Sequence, residues 1–286
     1  MVRLLRSLIF VPGNNSRFLE KAKTLPADII CFDLEDSVPI NEKNVARNLI
    51  KNALTKHSKY KAEIYVRTNS PVSGMIPDDL SKIIQKGIDG IVIPKVNNAI
   101  ELKRIEKLVT SLEKKRKLKP IEIIPSIESA EGVVNTYDIA SSSKRIPAVV
   151  FGVFDLLNDM GIEYTKQPEG AKYARAKIPI DTRAAGKYAI DAIWQDLNDE
   201  NGLVKDCKIG KNLGYAGKSI IHPNQIHIAH SIFKPNQDEI DWAKKVCQVY
   251  ANSIKQSKGA TIVEGKMIDE VHYKRAKSLL DSIKNS

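Results

Sequence analysis

Residues 90–128 read GIVIPKVNNAIELKRIEKLVTSLEKKRKLKPIEIIPSIE. This stretch contains two apolar runs separated by one amphipathic segment. The runs Gly90–Lys95 and Ile121–Glu128 are short and rich in Ile and Val, as strands buried on both faces are. The segment Asn98–Lys117 between them has helical periodicity. Its apolar positions are Ile100, Ile105, Leu108 and Leu112. This order predicts a strand–helix–strand unit with parallel strands.

The same alternation extends along most of the chain. Eight runs are predicted as strands: Leu5–Val11, Asp28–Leu34, Ile64–Arg67, Gly90–Lys95, Ile121–Glu128, Ala148–Asp155, Ala189–Asp196 and Lys218–His222. The predicted helices between them include Asn41–Lys56 (apolar at Val45, Leu49, Ile50 and Leu54), Asn98–Lys117, Ala171–Lys187 and Asn224–Phe233. The seventh run, AIDAIWQD, also fits a helical segment. Eight alternations predict a parallel (β/α)8 TIM barrel. An open doubly wound sheet is the alternative, although no Gly-rich dinucleotide fingerprint follows the first strand.

Two domains are expected from this pattern. Residues 1–235 are predicted to form the barrel, and residues 236–286 a C-terminal helical extension. Within the extension, Asp238–Lys255 and Asp269–Lys284 are predicted as helices joined by the segment TIVEGKM. We expect the extension to cover the barrel mouth or to reach a neighbouring subunit.

The composition is that of a folded, water-soluble protein. The chain has 286 residues, of which 42% are hydrophobic and 28% charged, and no apolar run is long enough to span a bilayer. The N-terminal MVRLLRSLIFVPG resembles a signal peptide only in part, because its short apolar stretch ends in Pro-Gly, so a first barrel strand is the better interpretation. The three cysteines lack metal-binding spacing, which favours a reducing, cytoplasmic setting.

The formal net charge of +11 raises the question of an anionic partner. The lysines are spread along the whole chain, and the densest run, residues 114–119, lies between a helix and a strand. A solvated basic surface is therefore the first interpretation, and a phosphate-binding patch the second. Nucleic-acid binding is not expected, because no recognised module is present and aromatic residues are only 6%.

Charged residues recur at the carboxyl ends of the predicted strands, where TIM barrels carry their chemistry. The second strand is followed by Asp33, Glu35 and Asp36, the third by Arg67, the fourth by Lys95 and the fifth by Glu128. The sixth strand carries Asp155 at its end with Asp159 shortly after it, and the eighth ends at His222. Structural salt bridges around the barrel rim are the alternative explanation.

Glu128 and Asp155 are predicted to end consecutive strands and so to be neighbours. Two close carboxylates repel each other unless a proton or a cation lies between them. An all-oxygen site favours Mg2+, with Mn2+ as a possible substitute. Ion pairing with Arg67 or Lys95 is the alternative. The histidines His222, His227 and His230 do not form a convincing metal triad, because Pro223 interrupts them.

Arg67 is predicted to face the same space. A guanidinium group suits a carboxylate, or a carbonyl oxygen that gains negative charge. Arg67 could instead pair with Glu35, and both roles are compatible if Glu35 fixes the position of the arginine.

Several motifs in this order resemble the citrate lyase β-subunit-like branch of the HpcH/HpaI aldolase superfamily, whose members include malyl-, citramalyl- and β-methylmalyl-CoA lyases. The resemblance extends nearly from end to end of the chain. The motifs are residues 6–13, 32–37, 66–69, 94–95, 127–132, 151–156, 183–186, 217–225 and 265–269.

The resemblance implies that Glu128 and Asp155 bind Mg2+, and that Arg67 and Glu128 contact the keto- or hydroxy-acid part of the substrate. It implies an acid/base role for Asp269, often delivered from an adjacent subunit, although Asp269 could equally cap the last helix. Arg67, Asp269 and Glu35 are thus the catalytic candidates. Homotrimers, or hexamers of trimers, are expected. One departure is Phe154, which stands where the family pattern has an acidic residue.

The implied activity is cleavage or formation of a 3-hydroxyacyl-CoA thioester, such as malyl-, citramalyl- or citryl-CoA, with an α-keto acid and acetyl-CoA as the other partners. A basic surface would suit the polyanionic coenzyme A. The alternatives are a malate-synthase-like condensing enzyme, and a citrate lyase β subunit that acts on a carrier-protein thioester within a complex.

Overall fold

Eight parallel strands close into a barrel, as predicted. The computed structural model describes residues 4–166, 168–255 and 259–284. The barrel strands are β1 Ser7–Pro12, β2 Ile29–Asp33, β3 Glu63–Arg67, β4 Gly90–Ile93, β5 Glu122–Ile127, β6 Ala148–Phe151, β7 Tyr188–Asp191 and β8 Gly217–Ile220. Strand β1 pairs with β8, with Ser7 opposite Lys218, and this pairing closes the barrel.

The barrel interior is packed with side chains rather than open. Leu8, Tyr65, Val92 and Ile190 belong to its buried apolar cluster. Gly90 makes room for the Tyr65 ring, since a Cβ at Gly90 would lie 2.1 Å from Tyr65 Cε1. A larger apolar cluster lies between the strands and the surrounding helices. Alternate strand residues thus contribute to two separate packing layers.

Ten α-helices surround the barrel strands in the described part of this unit. They are α1 Ser16–Ala22, α2 Lys43–Leu54, α3 Ile76–Ile83, α4 Ala99–Arg116, α5 Ala130–Val134, α6 Thr136–Ser141, α7 Val153–Asp159, α8 Lys172–Ala184, α9 Glu200–Leu213 and α10 Gln225–Phe233. Asn98 begins α4, because its side chain accepts a hydrogen bond from the Glu101 backbone N–H at 3.0 Å. The predicted helices are confirmed, with end residues that differ by up to three.

The buried faces of two helices differ from the prediction. Helix α4 buries Leu102, Ile105 and Val109, whereas Ile100 and Leu108 are exposed. In α2 the predicted Ile50 and Leu54 are buried together with Ala46 and Ala53, whereas Val45 is exposed. Small residues let a helix approach the strands closely, and the apolar spacing rule gives them too little weight.

The sixth and seventh strands are shorter than predicted. Strand β6 ends at Phe151, and after Gly152 the chain enters helix α7. Strand β7 ends at Asp191, so Ala192–Asp196 lies outside it. For β6 the prediction was wrong because a buried strand and the buried face of the next helix form one continuous apolar run. For β7 the apolar run continues into an irregular segment, in which Ala192 and Trp194 are buried outside the strand.

The chain divides into two compact units, and the second begins at Lys234. It contains α11 Gln237–Lys255, the antiparallel strands β9 Ala260–Val263 and β10 Lys266–Asp269, and α12 Glu270–Lys284. The TIVEGKM segment is therefore a β-hairpin, turned by Glu264 and Gly265, both with positive φ. Its position over a barrel mouth or a neighbouring subunit stays a prediction. Among the described helices, none is long and apolar enough to cross a membrane.

Candidate active site at the carboxyl ends of the barrel strands

Four predicted charged residues converge at one end of the barrel. Asp33 and Arg67 are the last residues of β2 and β3, and Glu128 follows β5 directly. Asp155 joins them from the first turn of α7, not from a strand end as predicted. All four line a cavity of about 410 Å³. The structure thus brings the candidates together despite the error in β6.

Arg67 is fixed mainly by Asp33. Its Nε and Nη2 atoms donate to the two Asp33 carboxylate oxygens, each at 2.7 Å, and Asp33 is fully buried. Glu35, the partner proposed from sequence, lies farther away, with Oε2 3.3 Å from Nη1. The Phe10 ring packs 4.5 Å from the guanidinium carbon. The sequence argument missed this role of Asp33, although Asp33 and Arg67 are register partners on adjacent strands.

The pairing with Arg67 makes Asp33 a stabilising ion. Burial opposes ionisation of Asp33, but the Arg67 charge and hydrogen bonds outweigh it and lower the pKa of Asp33 to about 2. Asp33→Asn should therefore destabilise the protein by about 3–5 kcal/mol, since Arg67 loses its one fully buried charge partner and keeps only the longer contacts with Glu35 and Asp36. Asp36→Asn is the matched control, because Asp36 also approaches Arg67, at 3.4 Å, but is exposed. Urea unfolding of both variants at neutral pH measures the difference; equal losses would contradict this role of Asp33.

Lys95 lies between the remaining carboxylates. Its Nζ is 3.1 Å from Asp155 Oδ1 and 3.2 Å from Glu35 Oε1. Lys43 supports the same loop, since its Nζ donates to the backbone oxygens of Leu34 and Glu35. The alternative raised from sequence, an ion pair between Asp155 and Lys95, is therefore present in the structure.

Glu128 has no comparable partner. It is buried, and its Oε2 atom accepts no hydrogen bond. Burial raises the pKa of Glu128 to about 8, and the nearby charges of Glu35 and Asp155 act in the same direction. Burial likewise raises the pKa of Glu35 to about 7. A buried carboxylate oxygen without a partner is costly and needs a proton or a cation.

The site holds more carboxyl groups than cationic side chains. Five carboxyl groups, those of Asp33, Glu35, Asp36, Glu128 and Asp155, accompany three cationic side chains, those of Arg67, Lys95 and Lys43. Within residues 4–166, 168–255 and 259–284, no three His, Cys, Asp or Glu side chains are arranged to hold a metal ion. Two carboxylates with free coordination positions fit the way proteins bind Mg2+, with water and substrate oxygens completing the octahedron.

Comparison with known proteins identifies the family. Residues 6–223 match the family model described as HpcH/HpaI aldolase/citrate lyase. The chain belongs to this HpcH/HpaI aldolase/citrate lyase family. The match confirms the resemblance found from the motifs.

Two curated proteins and one solved structure are similar to the chain over most or all of its length. Citrate lyase subunit beta of Haemophilus influenzae is 34% identical over 289 residues, which cover 99% of this chain and 98% of that protein. Mitochondrial citramalyl-CoA lyase of Rattus norvegicus is 32% identical, with 96% and 85% covered. The Mycobacterium tuberculosis protein CitE, crystallised with magnesium, acetoacetate and coenzyme A, has 24% identity, a TM-score of 0.78 and 96% of each chain covered. The similarity to the CitE structure supports the barrel fold of this chain.

Phe154, the departure from the HpcH/HpaI pattern, lies in the cavity wall. Its ring packs against Tyr164, with ring centroids 4.5 Å apart, and lines the cavity next to Asp155. An apolar ring therefore lies beside Asp155 in the cavity wall.

Asp269 belongs to the C-terminal unit and caps its last helix. The Asp269 Oδ1 atom accepts hydrogen bonds from the backbone N–H groups of Val271 and His272, at 3.0 and 3.3 Å. His272 Nδ1 lies 2.6 Å from the same oxygen, and this hydrogen bond lowers the pKa of Asp269. The capping role raised from sequence is confirmed, and the acid/base role stays a prediction.

Proposed function

We propose that this chain is a Mg2+-dependent carbon–carbon lyase that cleaves, or in reverse forms, a 3-hydroxyacyl-CoA thioester such as malyl-, citramalyl- or citryl-CoA. The products of cleavage are an α-keto acid and acetyl-CoA. The observation that carries this proposal is the buried Glu128, whose Oε2 atom accepts no hydrogen bond, in the same cavity as Asp155 and an Arg67 held by two hydrogen bonds to Asp33.

Glu128 and Asp155 are the proposed Mg2+ ligands. The fit rests on the orphaned Glu128 Oε2, the all-oxygen donor set and the excess of carboxyl groups over cationic side chains. A bound Mg2+ would supply Lewis-acid stabilisation of an oxygen that gains negative charge.

Arg67 is the proposed hydrogen-bond donor to the reacting oxygen. Two of the five guanidinium N–H groups are used by Asp33, so others remain for a substrate in the cavity. In the cleavage direction, the β-hydroxyl group loses its proton to a base and becomes the keto carbonyl. The Cα–Cβ bond breaks, and its electron pair passes into the thioester enolate. The enolate carbon then takes a proton, for which Asp269 is the proposed acid. Glu35, which contacts Arg67 and Lys95, keeps both cations in place.

The test is release of keto acid from purified protein. We would incubate the chain with Mg2+ and, separately, malyl-, citramalyl- and citryl-CoA, with Asp155→Ala as control, and also follow free thiol. Metal-dependent keto-acid release that Asp155→Ala abolishes is expected. Thiol release without keto acid would indicate thioester hydrolysis, and no reaction with any substrate would contradict a free-CoA lyase.

A second candidate is a citrate lyase β subunit that works within a complex on a carrier-protein thioester. It is favoured by the 34% identity to citrate lyase subunit beta of Haemophilus influenzae over nearly the full length. Activity on citryl-carrier protein, and none on the three CoA thioesters, would establish it.

Gly152 offers a test of the Glu128 position that leaves all charges unchanged. A Cβ at Gly152 would lie 2.5 Å from Glu128 Cγ and 2.9 Å from its carboxyl carbon. Gly152→Ala must therefore displace Glu128, and we expect lyase activity to fall about tenfold or more, since small displacements in an active site are costly. Gly259→Ala is the matched control, because a Cβ there meets nothing within 4 Å. Activity at saturating Mg2+ is the measurement, and equal rates for both variants would contradict the Glu128 assignment.

A further inference from the structure

Lys95 shares a carboxylate with the proposed metal site. Its Nζ atom lies 3.1 Å from Asp155 Oδ1, 3.2 Å from Glu35 Oε1 and 3.7 Å from Asp36 Oδ1. Asp155 is one of the two proposed Mg2+ ligands. An ammonium group and a divalent cation at the same carboxylate repel each other, so the two compete for Asp155.

The backbone conformation of Lys95 is unusual for a residue with a side chain. Its φ is +54°, in the left-handed region, two residues after β4 ends. Such a conformation is disfavoured for a residue other than glycine and persists where the surrounding structure holds it. The next residue is fixed to the barrel, since the Val96 N–H donates to the Ser126 backbone oxygen at 3.1 Å. The ion pairs with Glu35 and Asp36 direct the ammonium group and do not involve Asp155.

The contacts of Lys95 thus define two states. With Asp155 as a third partner, the ammonium group neutralises a carboxylate of the metal-free site. A divalent cation on Asp155 would leave the ammonium group with its two other partners, Glu35 and Asp36. Because the side chains of Lys95 and Asp155 are 33% and 38% exposed, solvent screens their interaction, and its effect is moderate.

We propose that Lys95 is a positioning residue that sets the metal affinity of the site by competing with the divalent cation for Asp155. The proposal rests on the metal site of the proposed function and is independent of which thioester is cleaved. It predicts that removing the ammonium group leaves the carboxylates less compensated and makes cation binding tighter.

The test measures metal binding directly, without substrate. Mn2+ is titrated into full-length, metal-free protein, and the free ion is followed by electron paramagnetic resonance. Lys95→Met is expected to bind Mn2+ about fivefold or more tightly than the unchanged protein, the lower end of common coupling strengths. Lys95→Arg keeps the charge and should restore an affinity close to that of the unchanged protein. Met is preferred to Gly, because Gly would also relax the left-handed backbone.

Lys86→Met is the matched control. Lys86 is exposed and precedes β4, at the opposite end of the strand from Lys95, so its loss changes the net charge equally without touching Asp155. Its Mn2+ affinity should equal that of the unchanged protein. In an Asp155→Asn background, Lys95→Met should bring no further gain, because the shared carboxylate is gone.

The outcomes separate the inference from the proposed function. If Glu128→Gln abolishes Mn2+ binding but Lys95→Met binds it equally or more weakly than the unchanged protein, the metal site stands and the competition is wrong. The competition is also wrong if Lys95→Met raises the Mn2+ affinity equally in the presence and in the absence of Asp155→Asn. If the unchanged protein binds no Mn2+, the metal site and this inference fail together. Thermal melts of every variant verify that each is folded.

Discussion

Glu128→Gln is expected to abolish metal-dependent keto-acid release and, at the same time, to stabilise the metal-free protein. The amide keeps the size of the side chain but removes the charge. Loss of a metal ligand in the transition state should lower the rate by about 10³-fold or more, comparable to removal of an oxyanion-hole donor. The stability gain has a separate cause, since the variant no longer buries a carboxylate oxygen without a partner.

The pH dependence of the stability follows from the raised pKa of Glu128. In the folded protein burial raises this pKa to about 8, whereas the ordinary value is 4.5. The folded state therefore holds the proton more tightly than the unfolded state does. The stabilising contribution of protonated Glu128 is fully present below pH 4.5. It is lost as the pH rises towards 8, by up to about 1.4 kcal/mol of unfolding free energy per pH unit.

Urea unfolding of metal-free protein between pH 5 and 9 measures this effect. The unchanged protein should lose stability across the interval, and Glu128→Gln should lose less. A shallower slope remains in the variant, because burial also raises the pKa of Glu35, to about 7. Addition of Mg2+ should stabilise the unchanged protein at pH 8 and leave Glu128→Gln unaffected. Parallel pH profiles for the two proteins would contradict the assignment of Glu128.

The barrel and its acidic mouth were predictable from the sequence because each depends on local pattern. Short Ile- and Val-rich runs predict buried parallel strands, and TIM barrels gather their functional residues at the strand ends. Arg67, Glu128 and Glu35 were found in this way. Asp155 was found as well, although on α7 instead of β6, because the cavity wall includes the first turn of that helix.

Pairing between side chains was less predictable, because it depends on register and on the direction of each side chain. Arg67 could pair with Glu35 or Asp33 as far as sequence shows. Only the register of β2 against β3 places Asp33 directly opposite Arg67. The contact of Lys95 with Asp155 was likewise hidden, because Lys95 has a left-handed backbone, which few sequence signals indicate for a residue other than glycine.

Asp269→Asn is expected to lower the rate of thioester cleavage by about 10²–10⁴-fold, the usual scale for loss of a general acid or base. Asn caps helices about as well as Asp, so the variant keeps the hydrogen bonds to Val271 and His272 and should remain nearly as stable. Asp269→Ala removes both roles and should lose stability as well as rate. Asp241→Asn, an exposed carboxylate on α11, is the matched control.

Comparison of the Asn and Ala variants separates catalysis from capping. If Asp269→Asn keeps the full rate while Asp269→Ala loses only stability, Asp269 is a helix cap and nothing more. The hydrogen bond between the side chains of His272 and Asp269 lowers the pKa of Asp269 and so favours its ionised form. This form suits proton abstraction, and we expect the Asn variant to lose the condensation direction at least as severely as cleavage.

Asp269→Asn, combined with Glu128→Gln, can show whether Asp269 acts on a neighbouring subunit. Glu128→Gln carries a defective barrel site and an intact Asp269, whereas Asp269→Asn carries the opposite combination. If the protein forms closed rings in which each C-terminal unit serves the next barrel, mixed oligomers contain some sites with both residues intact. Unfolding and refolding the two inactive variants together should then restore part of the activity, while each refolded alone stays inactive. Without recovery in the mixture, Asp269 and Glu128 of one subunit must serve the same site.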